Sequence, residues 1–247
     1  VKAPVHPANR IYYPVADNQE PLIFIGTDKE IETPSISFFF KSEAFPDSLK
    51  NTINYYGIQY MLSMGISMLN SRLAEIRQQA DPPFTGASAG YGDFFVAKTK
   101  SAFGIDASSK IGGIELAMKT ILEEAERARR FGFTETEYDR ARANYLQRVE
   151  SAYNEREKMK NDTYVNEYIS NFLDNEPMPG IEYEYAMMNK LAPNIPVTAI
   201  NQVMQQLITD NNQVVLLAGP EKEGLKYPTK EEITALLKQT KSFDLKP

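Results

Sequence analysis

The sequence predicts an α+β fold in which an antiparallel sheet is covered on one face by helices. Three observations support this prediction. Apolar runs typical of strands come first along the chain, a block of helical periodicities follows, and one more strand comes near the end. That order is not the strict alternation of strands and helices that builds a doubly wound sheet. Nothing in the 247 residues resembles a linker or an internal repeat, so we expect one domain over residues 22–247 behind an extended leading segment, residues 1–21.

Proline and apolar patterning define the first elements. Four prolines within the leading segment favour extended backbone over helix. Residues 22–26 and 35–41 are rich in Ile and Phe and are separated by a polar turn, which predicts two strands joined as a hairpin. Pro46-Asp47-Ser48 then provides a helix-start signal. The helix that it opens should extend to about residue 79.

That long helix should lie in the core, because Ile53, Tyr60 and Met64 place apolar groups on most of its faces. Asp81-Pro82-Pro83 ends it, since proline restricts the residue before it and cannot continue the hydrogen-bond ladder. Residues 85–94 and 95–107 then alternate small and large side chains. This alternation predicts two further strands.

Helices dominate the second half of the chain. Residues 111–128 repeat apolar groups at intervals of three and four, and Gly132 suits the end of that helix. Thr134 and Glu137 have the spacing of a capping box, in which both side chains satisfy unpaired backbone N–H groups at the start of the next helix. The remaining predicted elements are helices at residues 164–173, 181–191, 197–208 and 229–238 and a central strand at residues 213–218.

Composition excludes several kinds of function. The formal net charge is −6, so no global positive field attracts nucleic acid. The absence of cysteine removes disulfides, thiolate metal sites and cysteine nucleophiles. A single histidine, His6, cannot supply the two or three imidazoles of a usual catalytic zinc site. Residues 51–71 carry no charge but contain too many amide and hydroxyl groups for a membrane span. We therefore expect no catalytic residue, metal site, nucleic-acid partner or membrane span in this chain.

One catalytic motif has to be weighed against its structural alternative. Gly86-Ala87-Ser88-Ala89-Gly90 fits the G-x-S-x-G pattern of α/β hydrolases. That serine needs a strand-to-helix elbow and a histidine further along the chain, whereas the only histidine lies far upstream. We interpret the motif as a small-residue strand packed under a helix. A serine hydrolase built on Ser88 is the least favoured alternative.

Charged and aromatic clusters also have two interpretations. Residues 123–130 combine three glutamates with three arginines, which on a helix form mutually stabilising pairs. We interpret them as a solvated surface and not as a metal or acid–base site. Aromatic groups such as Tyr55-Tyr56, Phe94-Phe95 and those at residues 38–40 could line a peptide groove, but such residues more often fill a core.

A series of short motifs occurs in a fixed order from about residue 22 to 220. N-S-R-L-A-E-I-R at residues 70–77 is followed by A-D-P-P-F at residues 80–84. The other segments are T-D-K-E at 27–30, K-T-K at 98–100, R-F-G-F-T at 130–134 with Glu137, F-L at 172–173, P-G-I-E at 179–182 and A-G-P at 218–220. Together they resemble the second domain of the pitrilysin or insulinase family of zinc peptidases.

The resemblance implies a pitrilysin-type α+β domain, similar to those of mitochondrial processing peptidase. Such domains pair into two halves that enclose a chamber for unfolded peptides. Zinc is expected in another domain of the parent protein, on an inverted H-x-x-E-H motif that this chain lacks. The chain would then be a non-catalytic domain that packs on the zinc-bearing domain, faces the second half of the same or a partner chain, and lines the peptide chamber. The alternative is a domain of an inactive homologue that acts as a scaffold or assembly subunit.

The resemblance also draws attention to Arg77 and Phe84 as residues facing the substrate chamber. In the family's inactive half, the equivalent domain carries an arginine and, seven positions on, a tyrosine that contact the substrate carbonyl. Arg77 matches the arginine, but Phe84 has no hydroxyl to donate to an oxyanion. This departure favours the zinc-bearing half. A helix-end salt bridge is the other interpretation of Arg77. A bacterial cell-envelope or periplasmic location is expected from family habit alone.

Overall fold

The computed structural model describes residues 11–247, and His6 lies outside that range. Five strands form one sheet: β1 (Leu22–Asp28), β2 (Ser35–Glu43), β3 (Gly86–Phe94), β4 (Ala97–Ser108) and β5 (Gln213–Pro220). The α-helices are α1 (Asp47–Lys50), α2 (Ile53–Arg77), α3 (Ile114–Phe131), α4 (Glu135–Asn154), α5 (Asn161–Asp174), α6 (Ile181–Leu191), α7 (Val197–Leu207) and α8 (Lys230–Gln239). No helix among the described residues is long and apolar enough to cross a membrane.

The strand order is β1-β5-β2-β4-β3. All neighbours are antiparallel except β1 and β5, which run parallel. The predicted hairpin between the first two strands is therefore wrong, because β5 is inserted between them. Local spacing cannot distinguish adjacent strands from strands separated by a later one. The expectation that β5 is an interior strand is confirmed, and its apolar run fits a strand with neighbours on both sides.

One face of the sheet is covered by helices, as predicted. Alternate residues of β2, namely Ile36, Phe38 and Phe40, are at most 3% exposed, and so are Phe103 and Ile105 of β4. They join side chains of α2, α3 and α7 in a single hydrophobic core. Burying a side chain of this size contributes roughly 1.5 to 3 kcal/mol, so this face holds the fold together.

The helix predicted from residue 46 to 79 is two helices. α1 ends at Lys50, and the Thr52 hydroxyl accepts a hydrogen bond from the Tyr55 backbone N–H at 3.3 Å to start α2. Tyr60 and Met64 are buried as expected, but Ile53 is 56% exposed and so does not lie in the core. The threonine acts as an N-cap that apolar periodicity alone does not reveal.

The charge run on α3 is solvated only in part, since Arg130 is exposed but two of the glutamates are not, which corrects the prediction. Glu124 and Glu126 are buried, and Glu126 accepts hydrogen bonds from Arg129 and Arg130. Arg130 also donates to the backbone carbonyl of Phe243 at 2.9 Å. The predicted pairing is present, but its role is to attach the C-terminal segment to α3.

Candidate functional site

The described residues hold no metal centre. No group of three His, Cys, Asp or Glu side chains is arranged to bind an ion within residues 11–247. The usual ligand set of a protein zinc site is therefore not found among these described residues.

Ser88 lies in the middle of β3, where it pairs with Asp106 of β4. The residues on both sides of it continue the strand, so the sharp strand-to-helix elbow of a nucleophilic serine is not formed. Ala87 and Ala89 pack against the core, whereas Ser88 is exposed. The interpretation as a small-residue strand is confirmed.

Replacement of Ser88 by alanine should leave the protein almost unchanged. We expect the free energy of unfolding to shift by less than about 0.5 kcal/mol, because an exposed hydroxyl without a structural partner contributes little. Labelling with a fluorophosphonate probe should be absent in both proteins. Covalent labelling that the alanine variant abolishes would contradict this assignment.

Residues of the N-S-R motif join α2 to the sheet and to the start of α4. The side-chain amide of Asn70 accepts from the Ala89 backbone N–H at 2.7 Å and donates to the Ala89 carbonyl at 3.0 Å. Arg72 donates to the two carboxylate oxygens of Glu137 at 2.6 and 3.0 Å. Because β3 is an edge strand, the Asn70 contact also occupies backbone groups that would otherwise be open to pairing.

The junction between α3 and α4 surrounds the Arg72 guanidinium. Arg72 donates to the Gly132 carbonyl at 3.0 Å and lies 4.6 Å from the centre of the Phe133 ring. Glu137 also completes the capping box with Thr134, as predicted. Burial alone would raise the pKa of Glu137, but hydrogen bonds from Arg72 and Thr134 outweigh it and hold that pKa below its ordinary value.

The second face of the sheet carries the outward-facing side chains, which alternate along each strand with the side chains that point into the core. A Cβ placed on Gly104 would lie 3.3 Å from the Phe39 ring, and one on Gly26 would lie 2.8 Å from the Phe24 ring, so both rings lie over glycines on this face. Leu22 and Phe24 are 53% and 63% exposed. We call this second face the open sheet face. One row of paired residues across it comprises Phe24, Leu216, Ser37, Asp106 and Ser88.

An aromatic cluster lies at one end of the open sheet face. The ring centres of Phe39 and Phe95 are 5.2 Å apart, and those of Phe94 and Phe95 are 4.7 Å apart. Phe95 occupies the two-residue turn between β3 and β4 at φ 54°, a conformation that bulky residues rarely adopt, and it is 57% exposed. The aromatic residues thus divide between two environments, because Phe38 and Phe40 fill the core while Phe39 and Phe95 face outward.

A polar cavity of about 590 Å³ lies between α1, α2, the β3–β4 hairpin and the end of α5. Its charged lining comprises Asp47, Asp93, Asp174, Glu176, Lys50 and Lys98. Lys50 lies 3.1 Å from both Asp47 and Glu176, and these hydrogen-bonded carboxylates outweigh burial and raise the pKa of Lys50. Lys98 bridges Asp93 and Asp174 at 2.6 Å each. The ion pairs therefore link the elements around the cavity to one another.

No family model matches the chain. Over 209 residues it is 27% identical to a zinc protease PQQL-like protein of Arabidopsis thaliana, covering 85% of this chain and 18% of that protein. The periplasmic protease PqqL of Escherichia coli superposes with a TM-score of 0.84 at 20% identity, covering 97% of this chain and 26% of PqqL. The separately solved first half of PqqL gives 0.82 at 19% identity, covering 97% of this chain and 50% of that half.

The solved structures show that the chain has the fold of PqqL, and the Arabidopsis relative agrees with the resemblance to the pitrilysin/insulinase family. The chain spans about a fifth of the length of the Arabidopsis protein and about a quarter of PqqL. In this structure, Asn70, Arg72 and Glu137 from the resembling motifs contact other elements of the fold. Their contacts in this structure hold elements of the fold together. These motif residues can therefore be shared by proteins of one fold without taking part in catalysis.

The two residues expected to face a substrate chamber differ in their exposure to solvent. Arg77, the last residue of α2, is exposed, and it forms no ion pair among residues 11–247, so the helix-end salt bridge does not form there. Phe84 is 1% exposed and belongs to the hydrophobic core. Its side chain has no free surface to offer a peptide in this structure, so of the two residues only Arg77 is a candidate for contact with substrate.

Proposed function

We propose that this chain is a non-catalytic domain in the zinc-bearing half of a zinc metallopeptidase, where it packs on the zinc-bearing domain and lines the peptide chamber. The observation that supports the proposal best is a pitrilysin-type fold whose described residues contain no metal-binding group. The similar Arabidopsis protein carries the name zinc protease and is much longer than this chain. A metal centre in sequence outside these 247 residues accounts for both facts.

The open sheet face is the surface that we assign to the chamber wall. Phe39, Phe95 and Phe24 supply apolar contacts that do not depend on a particular peptide sequence. Ser88 and Gly90 have small side chains that project little from the outward side of β3, so an extended peptide can approach the sheet. Arg77, at the exposed end of α2, is a separate candidate, because its cation can pair with a peptide carbonyl or carboxylate.

The first experiment compares the 247-residue chain with the complete parent protein. We expect the chain alone to bind no stoichiometric zinc and to leave an unfolded, internally quenched peptide intact. The parent should contain one zinc for each active half and cleave the peptide in a chelator-sensitive manner. Zinc tightly bound by the chain alone, or chelator-sensitive cleavage by it, would overturn the proposal.

The lack of a metal-binding group among residues 11–247 equally favours the alternative role as a scaffold. In that case the parent would lack H-x-x-E-H, hold no zinc and cleave nothing, while still assembling with its partner. Reading the parent sequence and measuring its zinc content by plasma mass spectrometry decides between the two roles.

A substitution on the open sheet face tests the chamber assignment. In the parent protein, Phe95→Asn should raise KM for unfolded peptides roughly fivefold, the effect of losing about 1 kcal/mol of aromatic contact, with kcat little changed. Asparagine tolerates the positive φ at this turn, so folding should be retained.

The matched control is Leu116→Asn on α3. Leu116 is 58% exposed and Phe95 is 57% exposed, so both variants exchange a similarly accessible apolar group for the same amide. The control should leave KM unchanged. Equal effects of the two variants on KM would remove the assignment of the open sheet face.

A further inference from the structure

Helix α5 is attached to the rest of the domain almost entirely by polar contacts. None of its residues is buried. The Tyr164 hydroxyl donates to the Arg156 carbonyl at 3.1 Å, and the Asn171 amide donates to the Glu176 carbonyl at 2.7 Å. At its end, Asp174 pairs with Lys98 at 2.6 Å. The first two bonds join α5 to the chain segments next to it, and the third joins its end to β4. None of the three uses an apolar side chain of the helix.

The apolar residues of α5 form a continuous exposed stripe. Val165, Tyr168, Ile169 and Phe172 follow the i, i+3, i+4, i+7 spacing that places side chains on one helix face. Their exposed fractions are 48%, 59%, 49% and 80%. We call these four residues the α5 stripe.

An exposed stripe of this kind is unfavourable unless something covers it. A helix of 14 residues is marginal in water by itself, and in globular proteins its stability comes mainly from packing of its apolar face. The α5 stripe exposes on the order of 500 Å² of surface, taking roughly 150 to 250 Å² for each whole aromatic side chain. Patches of this size on a single domain are often functional.

We propose that the α5 stripe is the docking surface for the neighbouring domain of the same polypeptide, an inference that rests on the proposed function. The separately solved first half of PqqL is twice as long as the part that this chain matches, so a half of that type contains a second body of similar length. In this chain, the α5 stripe is an apolar surface that such a body can bury.

The size of the α5 stripe favours a covalently linked partner over a second free copy. An interface burying on the order of 1,000 Å² in total falls within the range of contacts between domains of one chain, about 600 to 1,500 Å². It falls below the roughly 1,200 to 2,000 Å² of stable complexes between separate proteins. A linker supplies an effective concentration in the millimolar range, which makes such a small contact sufficient.

The spacing of the α5 stripe also defines the chemistry of its partner. Anchors at i, i+3, i+4 and i+7 fit an apolar groove that accepts one face of a helix. Phe172 is the most exposed of the four and should enter deepest. The groove should carry no unpaired charge, because the α5 stripe offers only the Tyr168 hydroxyl as a polar group.

Hydrogen exchange on α5 tests the proposal in the parent protein and in the 247-residue chain. We expect the α5 amides to exchange at least tenfold more slowly in the parent. Phe172→Asp should remove that protection, whereas Ser170→Asp, at an exposed position outside the α5 stripe, should retain it. In the chain alone, both variants should unfold at the wild-type denaturant concentration, which separates loss of docking from loss of folding.

Each outcome is decisive. Equal α5 exchange in the parent and in the chain would overturn the proposal, as would equal effects of the two variants. Protection that appears in the chain alone when its concentration is raised would assign the α5 stripe to a second copy and also overturn it. Because this readout needs neither zinc nor peptide cleavage, a parent without zinc would refute the proposed peptidase role while leaving the docking result interpretable.

Discussion

Replacement of Gly132 by alanine should lower the free energy of unfolding by about 3 to 5 kcal/mol, a large part of the 5 to 15 kcal/mol that a domain has. Gly132 has φ 70° and ψ −151°, a region open essentially only to glycine. A Cβ there would also lie 2.3 Å from the side-chain carbon of Asn201. The backbone strain and the clash therefore act together.

Asn201 cannot move aside without further loss. Its side-chain oxygen accepts from the Phe133 backbone N–H at 2.8 Å, and its amide donates to the Phe133 carbonyl at 3.1 Å. Each net hydrogen bond contributes about 0.5 to 1.5 kcal/mol, so displacement of Asn201 adds to the strain energy. The α3–α4 junction would then separate from α7.

Urea denaturation followed by circular dichroism measures the effect. The control is Gly57→Ala in α2, where a Cβ would meet nothing within 4 Å and φ is not positive. This control should be neutral or stabilising by up to about 1 kcal/mol, because alanine is the better helix former. A Gly132→Ala midpoint close to that of the control would show that the junction tolerates a side chain.

The parts of the fold that could be predicted from the sequence are those with local signals. The capping box of Thr134 and Glu137 is confirmed, since all of its groups lie within one helical turn. The positions of α6, α7 and α8 and the interior location of β5 also follow from short patterns. Strand order does not, because β1 and β5 pair across almost 200 residues through backbone groups that every sequence has.

The exposed surfaces are harder to predict from the sequence, because contacts between distant residues decide which side chains reach solvent. Phe38, Phe39 and Phe40 are identical in type, and only the strand pairing decides that Phe39 faces outward. Phe84 is one of the two residues that the resemblance expects to face the chamber, yet the structure places it in the core. The helical pattern of α5 was evident, but nothing local indicates that its apolar side chains remain uncovered.

Loss of the Arg72 to Glu137 ion pair is the second large effect that we expect. Both side chains are 17% exposed, and the pair joins residues 65 positions apart. Removing one partner of a buried pair costs about 3 to 5 kcal/mol, because the other charge is left without compensation. With some solvent exposure, we expect about 2 to 4 kcal/mol for Arg72→Ala and a similar loss for Arg72→Lys, which cannot make both hydrogen bonds in the same plane.

A double-mutant cycle separates this pair from the packing of the arginine stem. Arg72→Met keeps much of the apolar stem against Phe133, and Glu137→Gln keeps the shape of the acid. If the ion pair carries the effect, the double variant should be more stable than the sum of the two single losses predicts, by at least 1 kcal/mol. Strict additivity would mean that Arg72 stabilises the fold through its stacking on Phe133 and its hydrogen bond to the Gly132 carbonyl, and not through the ion pair.

The pH dependence of stability gives an independent measure of the same contact. Because the pKa of Glu137 is lowered in the folded protein, its stabilisation is fully present above the ordinary carboxyl pKa of about 4.3. It declines as the pH falls from there through the lowered value. Glu137→Gln should therefore be less stable than the wild type at pH 7, and the difference should shrink on acidification. A gap that stays constant down to the acid transition would show that the carboxylate charge is not what holds Arg72 at this junction.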